Sequence, residues 1–231
     1  MLAIQNPIPT TGLRLYLDTA DPAQWQRLLP LGIFHGVTTN PLLLERAGQS
    51  CTMENQNTLA QTASGLGCRE LHLQTWGDNS REFVAHAVEL AAMKTPTMEI
   101  ALKFPATVEG FLAARELSGM GHRITITAVY SEKQVLAAAG FGAAYAAPYF
   151  GRLLDSGRDG RNILLGMNSM LKKTGSPLRL LVASLRSSEQ VIDLAREGFD
   201  TFTFGPGVAD ELLAENLTEK AAADFLRAAK T

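Results

Sequence analysis

The chain has few cysteines, no long hydrophobic run and no marked excess of either charge. Its two cysteines, Cys51 and Cys68, are accompanied by no CxxC pair and no Cys/His cluster, which argues against a disulfide framework and a zinc site. No segment reaches the ~18 continuous apolar residues of a membrane-spanning helix, and residues 1–12 lack the features of a signal peptide. A formal net charge of -2 offers no basic field to a nucleic-acid backbone. We therefore expect a cytoplasmic protein with neither nucleic-acid nor membrane partners.

Short β-rich runs alternate with longer segments of helical periodicity along the whole chain. The 231 residues, 46% of them hydrophobic, contain no linker or low-complexity segment and are expected to form one domain. The predicted strands are residues 14–18, 36–39, 70–75, 99–104, 123–128, 145–149, 179–184 and 201–204. Apolar residues three and four apart predict helices over 80–93, 108–120, 131–139, 162–173, 187–197 and 217–230.

This alternation predicts an α/β fold of one (β/α)8 TIM barrel, because each strand is followed by a helical segment. We expect residues 1–12 to be an N-terminal extension to the barrel. The helix over 217–230 is additional to the barrel and has an apolar stripe. We expect that stripe to pack on a neighbouring subunit of a homo-oligomer.

Lys103 lies inside the otherwise apolar strand segment EIALKFP, residues 99–105. Strand alternation places it with Ala101 and Pro105 on the face that points into the barrel. Desolvation lowers the pKa of a buried amine, and a neutral amine can attack a carbonyl group and form a Schiff base. The alternative is a structural lysine whose amine reaches the strand end or pairs with a carboxylate.

Polar side chains stand at nearly every predicted strand end, where TIM barrels place their chemistry. Such a set above an apolar floor suits a small polyol phosphate. Each residue alone has a structural alternative: a helix cap for Asp18, a turn for Asn40, surface charges for the arginines. The strand-end residues are Asp18, Thr38, Asn40, Gln74, Thr75, Lys103, Thr127, Tyr149, Ser184 and Arg186.

Six segments in this order resemble the transaldolase family, and more closely its short branch, which includes fructose-6-phosphate aldolase. They are LYLDTAD (15–21), GVTTNP (36–41), LKFPATVEG (102–110), TAVYS (127–131), APYFGR (147–152) and ASLR (183–186). The resemblance implies class I chemistry through a lysine Schiff base, with no cofactor and no metal. It also implies a sugar phosphate or dihydroxyacetone-type donor as the ligand, and a homo-oligomer, either a pentamer or a decamer.

The resemblance assigns a role to each matching position. Lys103 is implied as the Schiff-base residue and Asp18 as the carboxylate that orients hydroxyls and assists proton transfer. Substrate hydroxyls are expected near Thr38 and Asn40. The side chains implied to hold a proton-relaying water are Gln74, Thr127 and Tyr149, and those implied to bind phosphate are Arg152, Ser184 and Arg186.

Gln74 and Tyr149 favour the aldolase branch, because transaldolases proper resemble one another in having Glu and Phe at these positions. A phenol offers the carbanionic intermediate a proton, and we therefore expect cleavage of fructose 6-phosphate between C3 and C4. The alternatives are a transaldolase, which passes the dihydroxyacetone unit to an aldose phosphate, and a non-catalytic barrel that binds phosphosugars. Trp76 and the Gly205–Gly207 segment depart from the family pattern.

Overall fold

The computed structural model describes residues 12–230, and these form a (β/α)8 TIM barrel with an extra C-terminal helix. The strands are β1 Arg14–Asp18, β2 Gly36–Thr38, β3 Glu70–Gln74, β4 Glu99–Pro105, β5 Arg123–Val129, β6 Tyr145–Pro148, β7 Arg179–Leu180, β8 Val182–Leu185 and β9 Thr201–Phe204. The helices are α1 Pro22–Leu28, α2 Pro41–Arg46, α3 Met53–Gly65, α4 Ser80–Ala91, α5 Val108–Gly119, α6 Glu132–Gly140, α7 Phe150–Asp155, α8 Gly160–Thr174, α9 Ser188–Arg196, α10 Pro206–Leu213 and α11 Asn216–Ala228, with a 3-10 turn at Leu29–Leu31.

All paired strands are parallel, in the order β7-β6-β5-β4-β3-β2-β1-β9-β8. The elements β7 and β8 correspond to the single predicted strand 179–184, which is interrupted at Leu181. The first part pairs with β6 and the second with β9, and a parallel bridge between Tyr149, just after β6, and Ala183 of β8 closes the barrel. The eight-strand barrel expected from the sequence is therefore confirmed.

Side-chain caps fix where many of the helices begin. Asn79, Thr107, Asp159 and Ser187 each accept a hydrogen bond from a backbone N–H in the first turn of the following helix. These caps satisfy N–H groups that have no partner within the helix. All six predicted helices are present, with ends that differ by one to a few residues. The periodicity did not predict α1, α2, α3, α7 and α10, four of which are too short to show two full repeats of an apolar face.

The apolar core fills the layer between the outer face of the sheet and the helices. Its largest members have less than 2% of their surface exposed and include Trp25, Phe104, Phe202 and Phe204. The barrel interior is more polar, with buried Thr38, Thr125, Thr127 and Thr203 at inward positions. This division leaves hydrogen-bonding groups and Lys103 inside the barrel, below the carboxyl ends of the strands.

A hydrogen-bonded cluster closes the opposite, amino-terminal end of the barrel. Glu70, which is 3% exposed, accepts a hydrogen bond from Tyr16 at 2.8 Å and lies 2.8 Å from both His72 Nε2 and Arg123 Nε. Tyr145 receives further hydrogen bonds from Arg14 and Arg123. The cluster satisfies the buried Glu70 charge at the end of the barrel that TIM barrels use for stability.

The extra helix α11 contributes no buried residue to the barrel. Its apolar side chains Leu217, Phe225 and Leu226 are 76%, 73% and 58% exposed. Across residues 12–230, no helix has both the length and the apolar character required to cross a membrane.

Candidate active site

A cavity of about 170 Å³ lies at the carboxyl ends of the strands, which we call the mouth of the barrel. Strand alternation and the short turns after each strand bring side chains from distant parts of the chain to this point. Seven of the ten predicted site residues line it: Asp18, Asn40, Lys103, Thr127, Tyr149, Arg152 and Ser184. The other lining residues are Leu42, Leu43, Arg46, Ala147, Leu181, Ala183 and Thr203.

Lys103 reaches the cavity from the interior of β4, where its side chain is only 4% exposed. Its Nζ donates a hydrogen bond of 2.8 Å to the backbone carbonyl oxygen of Thr39. Burial lowers the pKa of Lys103, and the negative charge of Asp18 opposes this effect only in part. Among the described residues no carboxylate forms an ion pair with this amine. Of the two forms of the structural alternative, pairing with a carboxylate is therefore not found among these residues.

Asp18 ends β1 at the mouth and accepts a hydrogen bond of 2.6 Å from the Thr38 hydroxyl. The Thr38 oxygen lies 2.6 Å from the Thr203 hydroxyl. Because the carboxylate can only accept, Thr38 donates to Asp18 and Thr203 donates to Thr38. Asp18 is not the cap of α1, since Asp21 performs that function through a 2.9 Å bond from the Ala23 N–H. Its carboxylate is therefore positioned from below by two hydroxyls.

Thr38 is fully buried, with no exposed surface, and does not line the cavity. The resemblance implied substrate hydroxyls near Thr38, and in the structure its hydroxyl is directed to Asp18. Asn40 lines the cavity and also caps α2, because its side-chain oxygen accepts the Leu43 N–H at 3.0 Å. That bond uses the amide oxygen and leaves the amide N–H donors for a ligand.

Thr127 and Tyr149 form a hydroxyl pair above Lys103, with their oxygens 2.9 Å apart. Burial raises the pKa of the Tyr149 phenol above its ordinary value, although the hydrogen bond with Thr127 opposes the rise. The phenol is therefore protonated at neutral pH and able to donate. Gln74, predicted as their partner, ends β3 as the register neighbour of Lys103 but lies outside the lining of the cavity.

The two predicted phosphate-site arginines have different surroundings. Arg152 lines the cavity with its guanidinium carbon 4.8 Å from the centre of the Tyr149 ring. Ser184 lies beside it, with a backbone φ of 61° that non-glycine residues seldom adopt. Arg186 is outside the lining and donates through both terminal nitrogens to Asp155, one of these bonds being 2.7 Å long. Its charge is already matched by a carboxylate at the surface.

Two further polar residues of the cavity, Arg46 and Thr203, were not found by sequence reasoning. Arg46 ends the short helix α2, which showed no helical periodicity, and Thr203 is an interior residue of β9. Strand alternation was the one signal available for Thr203. Trp76 and Gly205–Gly207 lie outside the lining; Trp76 packs against His86, with ring centres 3.6 Å apart. Within residues 12–230, no three His, Cys, Asp or Glu side chains are grouped so that they could hold a metal ion.

Comparison with known proteins gives evidence on the family that is independent of the geometry. A family model described as Transaldolase/Fructose-6-phosphate aldolase matches residues 15–231. A probable transaldolase of Moorella thermoacetica is 32% identical over 214 residues, which cover 93% of this chain and 96% of that protein. A probable transaldolase of Paracoccus denitrificans is 32% identical over 213 residues, covering 92% and 94% of the two chains.

Among solved structures, a flavocytochrome B2 mutant shares the barrel fold with a TM-score of 0.57 and 14% sequence identity. The match covers 85% of this chain but only 57% of the flavocytochrome chain. At this identity the likeness concerns the fold alone.

Proposed function

The chain belongs to the transaldolase/fructose-6-phosphate aldolase family, and we propose that within this aldolase and transaldolase class it is a class I aldolase that cleaves or forms the C3–C4 bond of a ketose phosphate such as fructose 6-phosphate. The observation that supports this most directly is Lys103, whose buried amine has a lowered pKa and lines the cavity without a carboxylate partner. An amine in this state is a nucleophile toward a ketone.

The proposed reaction begins when the neutral amine of Lys103 attacks the C2 carbonyl carbon of the ketose. Loss of water leaves an iminium, which draws electrons from the adjacent carbon atoms. Asp18 then takes the proton of the C4 hydroxyl, and the C3–C4 bond breaks as its electron pair moves toward the iminium. Glyceraldehyde 3-phosphate departs, and an enamine of dihydroxyacetone stays attached to Lys103.

Release of the enamine needs a proton at C3. We assign this proton to Tyr149, and three observations support the assignment: its phenol lines the cavity, is protonated at neutral pH and is hydrogen-bonded to Thr127. We assign to Gln74, the sheet neighbour of Lys103, a share in holding the water that relays the proton. Hydrolysis of the resulting iminium returns the free amine and dihydroxyacetone. The mechanism assigns no step to a cofactor.

The phosphate of the substrate is proposed to bind at Arg152 and Ser184, which line the same side of the cavity. A guanidinium offers two parallel donors to phosphate oxygens, and a serine hydroxyl adds a third. This placement orients the ketose with its reacting carbons toward Lys103.

Borohydride trapping tests the proposed covalent step. Incubation with dihydroxyacetone and sodium borohydride should add the reduced three-carbon fragment to Lys103 and abolish turnover. Peptide mass spectrometry locates the added fragment. The control is Lys103→Met, which has a similar length but no amine and should remain unmodified. Label on another lysine, or none under saturating ketone, would contradict the proposal.

Transaldolase activity is the second candidate, favoured by the names of the two curated relatives, both probable transaldolases. Tyr149→Phe removes the proposed proton donor and keeps the ring against Arg152. We expect this variant to raise transfer to erythrose 4-phosphate relative to release of dihydroxyacetone, by about 10-fold or more. An unchanged ratio would remove the reason for preferring the aldolase. A non-catalytic barrel would instead bind fructose 6-phosphate without turnover. Its Lys103→Ala variant would bind the sugar phosphate as tightly as the wild type.

A further inference from the structure

Arg186 is held outside the cavity by an ion pair with Asp155. Its two terminal nitrogens donate to the two carboxylate oxygens of Asp155, and the bond from Nη1 to Oδ1 is 2.7 Å long. The pair joins the residue after β8 to the last residue of α7, and the two side chains are 55% and 52% exposed. Because exposed ion pairs are weak, another anion can replace the carboxylate at Arg186.

The side chain of Arg186 nevertheless lies beside the wall of the cavity. The Arg186 Nε atom and the Ser184 hydroxyl oxygen are 3.0 and 3.1 Å from one point, the position that a Cβ atom on Gly151 would occupy. Ser184 lines the cavity, whereas Arg186 does not. Since Gly151 has no side chain, the space over it is open to both neighbours. Rotation of the Arg186 side chain therefore carries its terminal nitrogens from Asp155 toward Ser184.

The backbone at Arg186 is anchored, so the exchange requires movement of the side chain only. The backbone N–H of Arg186 donates a hydrogen bond of 2.8 Å to the side-chain oxygen of Gln190, in the first turn of α9. The next residue, Ser187, caps the same helix. These bonds fix the point from which the Arg186 side chain extends. Exposed side chains change rotamer rapidly compared with loops or helices.

Asp155 acts on both arginines that the sequence predicted to bind phosphate. The hydrogen bonds from Arg186 lower the pKa of Asp155, and the charges of Arg186 and Arg152 lower it further. The carboxylate is therefore ionised at neutral pH and matches the charge of Arg186. A phosphate monoester carries more negative charge than a carboxylate and has three acceptor oxygens. A phosphate at Arg152 and Ser184 is thus a competitor of Asp155 for the same guanidinium.

We propose that Asp155 is a specificity-determining residue that competes with the substrate phosphate for Arg186. In the free enzyme Arg186 pairs with Asp155. When a phosphorylated ligand binds, Arg186 exchanges the carboxylate for a phosphate oxygen, and the pair forms again when glyceraldehyde 3-phosphate leaves. Asp155 therefore lowers the affinity for phosphorylated ligands and has no effect on neutral ones. This inference rests on the proposed function, which places the phosphate at Arg152 and Ser184.

Synthesis kinetics with dihydroxyacetone as the donor test the competition. Asp155→Asn should lower the KM for glyceraldehyde 3-phosphate by about 2- to 5-fold, the effect expected when an exposed ion pair no longer has to be broken. The KM for unphosphorylated glyceraldehyde should change by less than about 1.5-fold. Asp210→Asn is the matched control, because it removes the exposed two-bond pair with Arg27, and it should leave both KM values unchanged. Equal effects on the two aldehydes would contradict the proposal.

Arg186→Gln separates competition for the arginine from direct repulsion of the phosphate. Alone, this substitution should raise the KM for glyceraldehyde 3-phosphate about 10-fold or more, through loss of a charged hydrogen bond. In the Arg186→Gln background, Asp155→Asn should change the KM by less than about 1.5-fold, because no arginine is left to release. The same gain in both backgrounds would show that Asp155 acts without Arg186, and would overturn the inference.

Calorimetric titration of Lys103→Met with fructose 6-phosphate gives a readout that does not depend on turnover. Adding Asp155→Asn to that variant should tighten binding by about 2- to 5-fold. Unchanged or weaker binding, or no binding by either protein, would refute the inference. Failure of borohydride trapping alone would instead count against the Schiff-base mechanism and leave the titration to decide on Asp155.

Discussion

The side-chain nitrogen of Lys103 donates a hydrogen bond to the backbone carbonyl oxygen of Thr39 at 2.8 Å, across the interior of the barrel. A neutral partner of this kind fixes the direction of the amine without stabilising a positive charge as a carboxylate would. One N–H group is used, and the lone pair of the neutral amine stays available for attack on a carbonyl carbon.

Replacing Lys103 by Met should raise stability at neutral pH while it abolishes activity. Burial lowers the pKa of Lys103 in the folded protein, so between that lowered pKa and 10.5 the unfolded chain binds more protons and the stability of the wild type rises with pH. The advantage of Lys103→Met should therefore be greatest below the lowered pKa and shrink as the pH rises toward 10.5. Urea unfolding at several pH values measures this difference in stability. The kcat of the variant should fall by at least about 1,000-fold relative to the wild type. A stability difference that does not vary with pH would show that the amine is ordinarily solvated.

Thr38→Val tests whether Asp18 is positioned by its hydrogen bond. The substitution removes the 2.6 Å bond and keeps the shape of a fully buried side chain. We expect kcat to fall about 10-fold, with a change in KM of less than about threefold. Thr203→Val, one bond further from Asp18, should give a smaller loss. A rise in KM with kcat preserved would indicate that Thr38 acts on substrate binding instead.

Glu70→Gln should lower stability and leave catalysis intact, because Glu70 lies at the opposite end of the barrel from the cavity. Burial alone would raise the pKa of Glu70, but the hydrogen bond from His72 and the charge of Arg123 outweigh it and hold the pKa well below 4.5. The stability contributed by this carboxylate is therefore present above pH 4.5 and is lost as the pH falls below that value.

The expected cost of Glu70→Gln is about 3 kcal/mol of unfolding free energy at pH 7, and it should diminish below pH 4. Thermal and urea unfolding with parallel assays of kcat provide the measurement. Glu99→Gln is the control, since the Glu99–Lys94 pair is exposed and such pairs contribute less than about 1 kcal/mol. Equal costs for the two variants would contradict a special role for the Glu70 cluster.

The exposed apolar face of α11 leads us to expect a homo-oligomer. Leu217, Phe225 and Leu226 bury little surface within the chain, and a neighbouring copy that covers them would remove this apolar area from water. Phe225→Asp with Leu226→Asp should dissociate the assembly to the 24.9 kDa chain, as measured by light scattering after size exclusion. Lys220→Asp, on the same helix, is the charge control. An unchanged mass for the double variant would place the interface elsewhere.

The strands were predictable from sequence because each is a compact apolar or β-branched run, such as Arg123–Val129. The interruption of the seventh barrel strand at Leu181 was not, since it depends on how the sheet closes between β6 and β9. Short helices such as α2 and α7 were missed because six residues do not establish a period.

The same distinction applies to the cavity. Strand ends and motif positions predicted Asp18, Lys103 and Tyr149, all of which line it. The ion pair that keeps Arg186 outside joins residues 31 positions apart, and such a contact leaves no pattern in a single sequence. Arg46 was missed for a related reason, since its place in the cavity depends on the direction in which α2 leaves β2.

Beyond the regular pairing of β6 with β7, the barrel is closed by the bridge between Tyr149 and Ala183. Arg152 lies three residues after Tyr149, and Ser184 follows Ala183 directly within β8. A phosphate that contacts both residues would link the end of β6 to β8, so binding of substrate would also stabilise the closed barrel. Amide hydrogen exchange at Tyr149 and Ala183 should then slow when the cavity is filled.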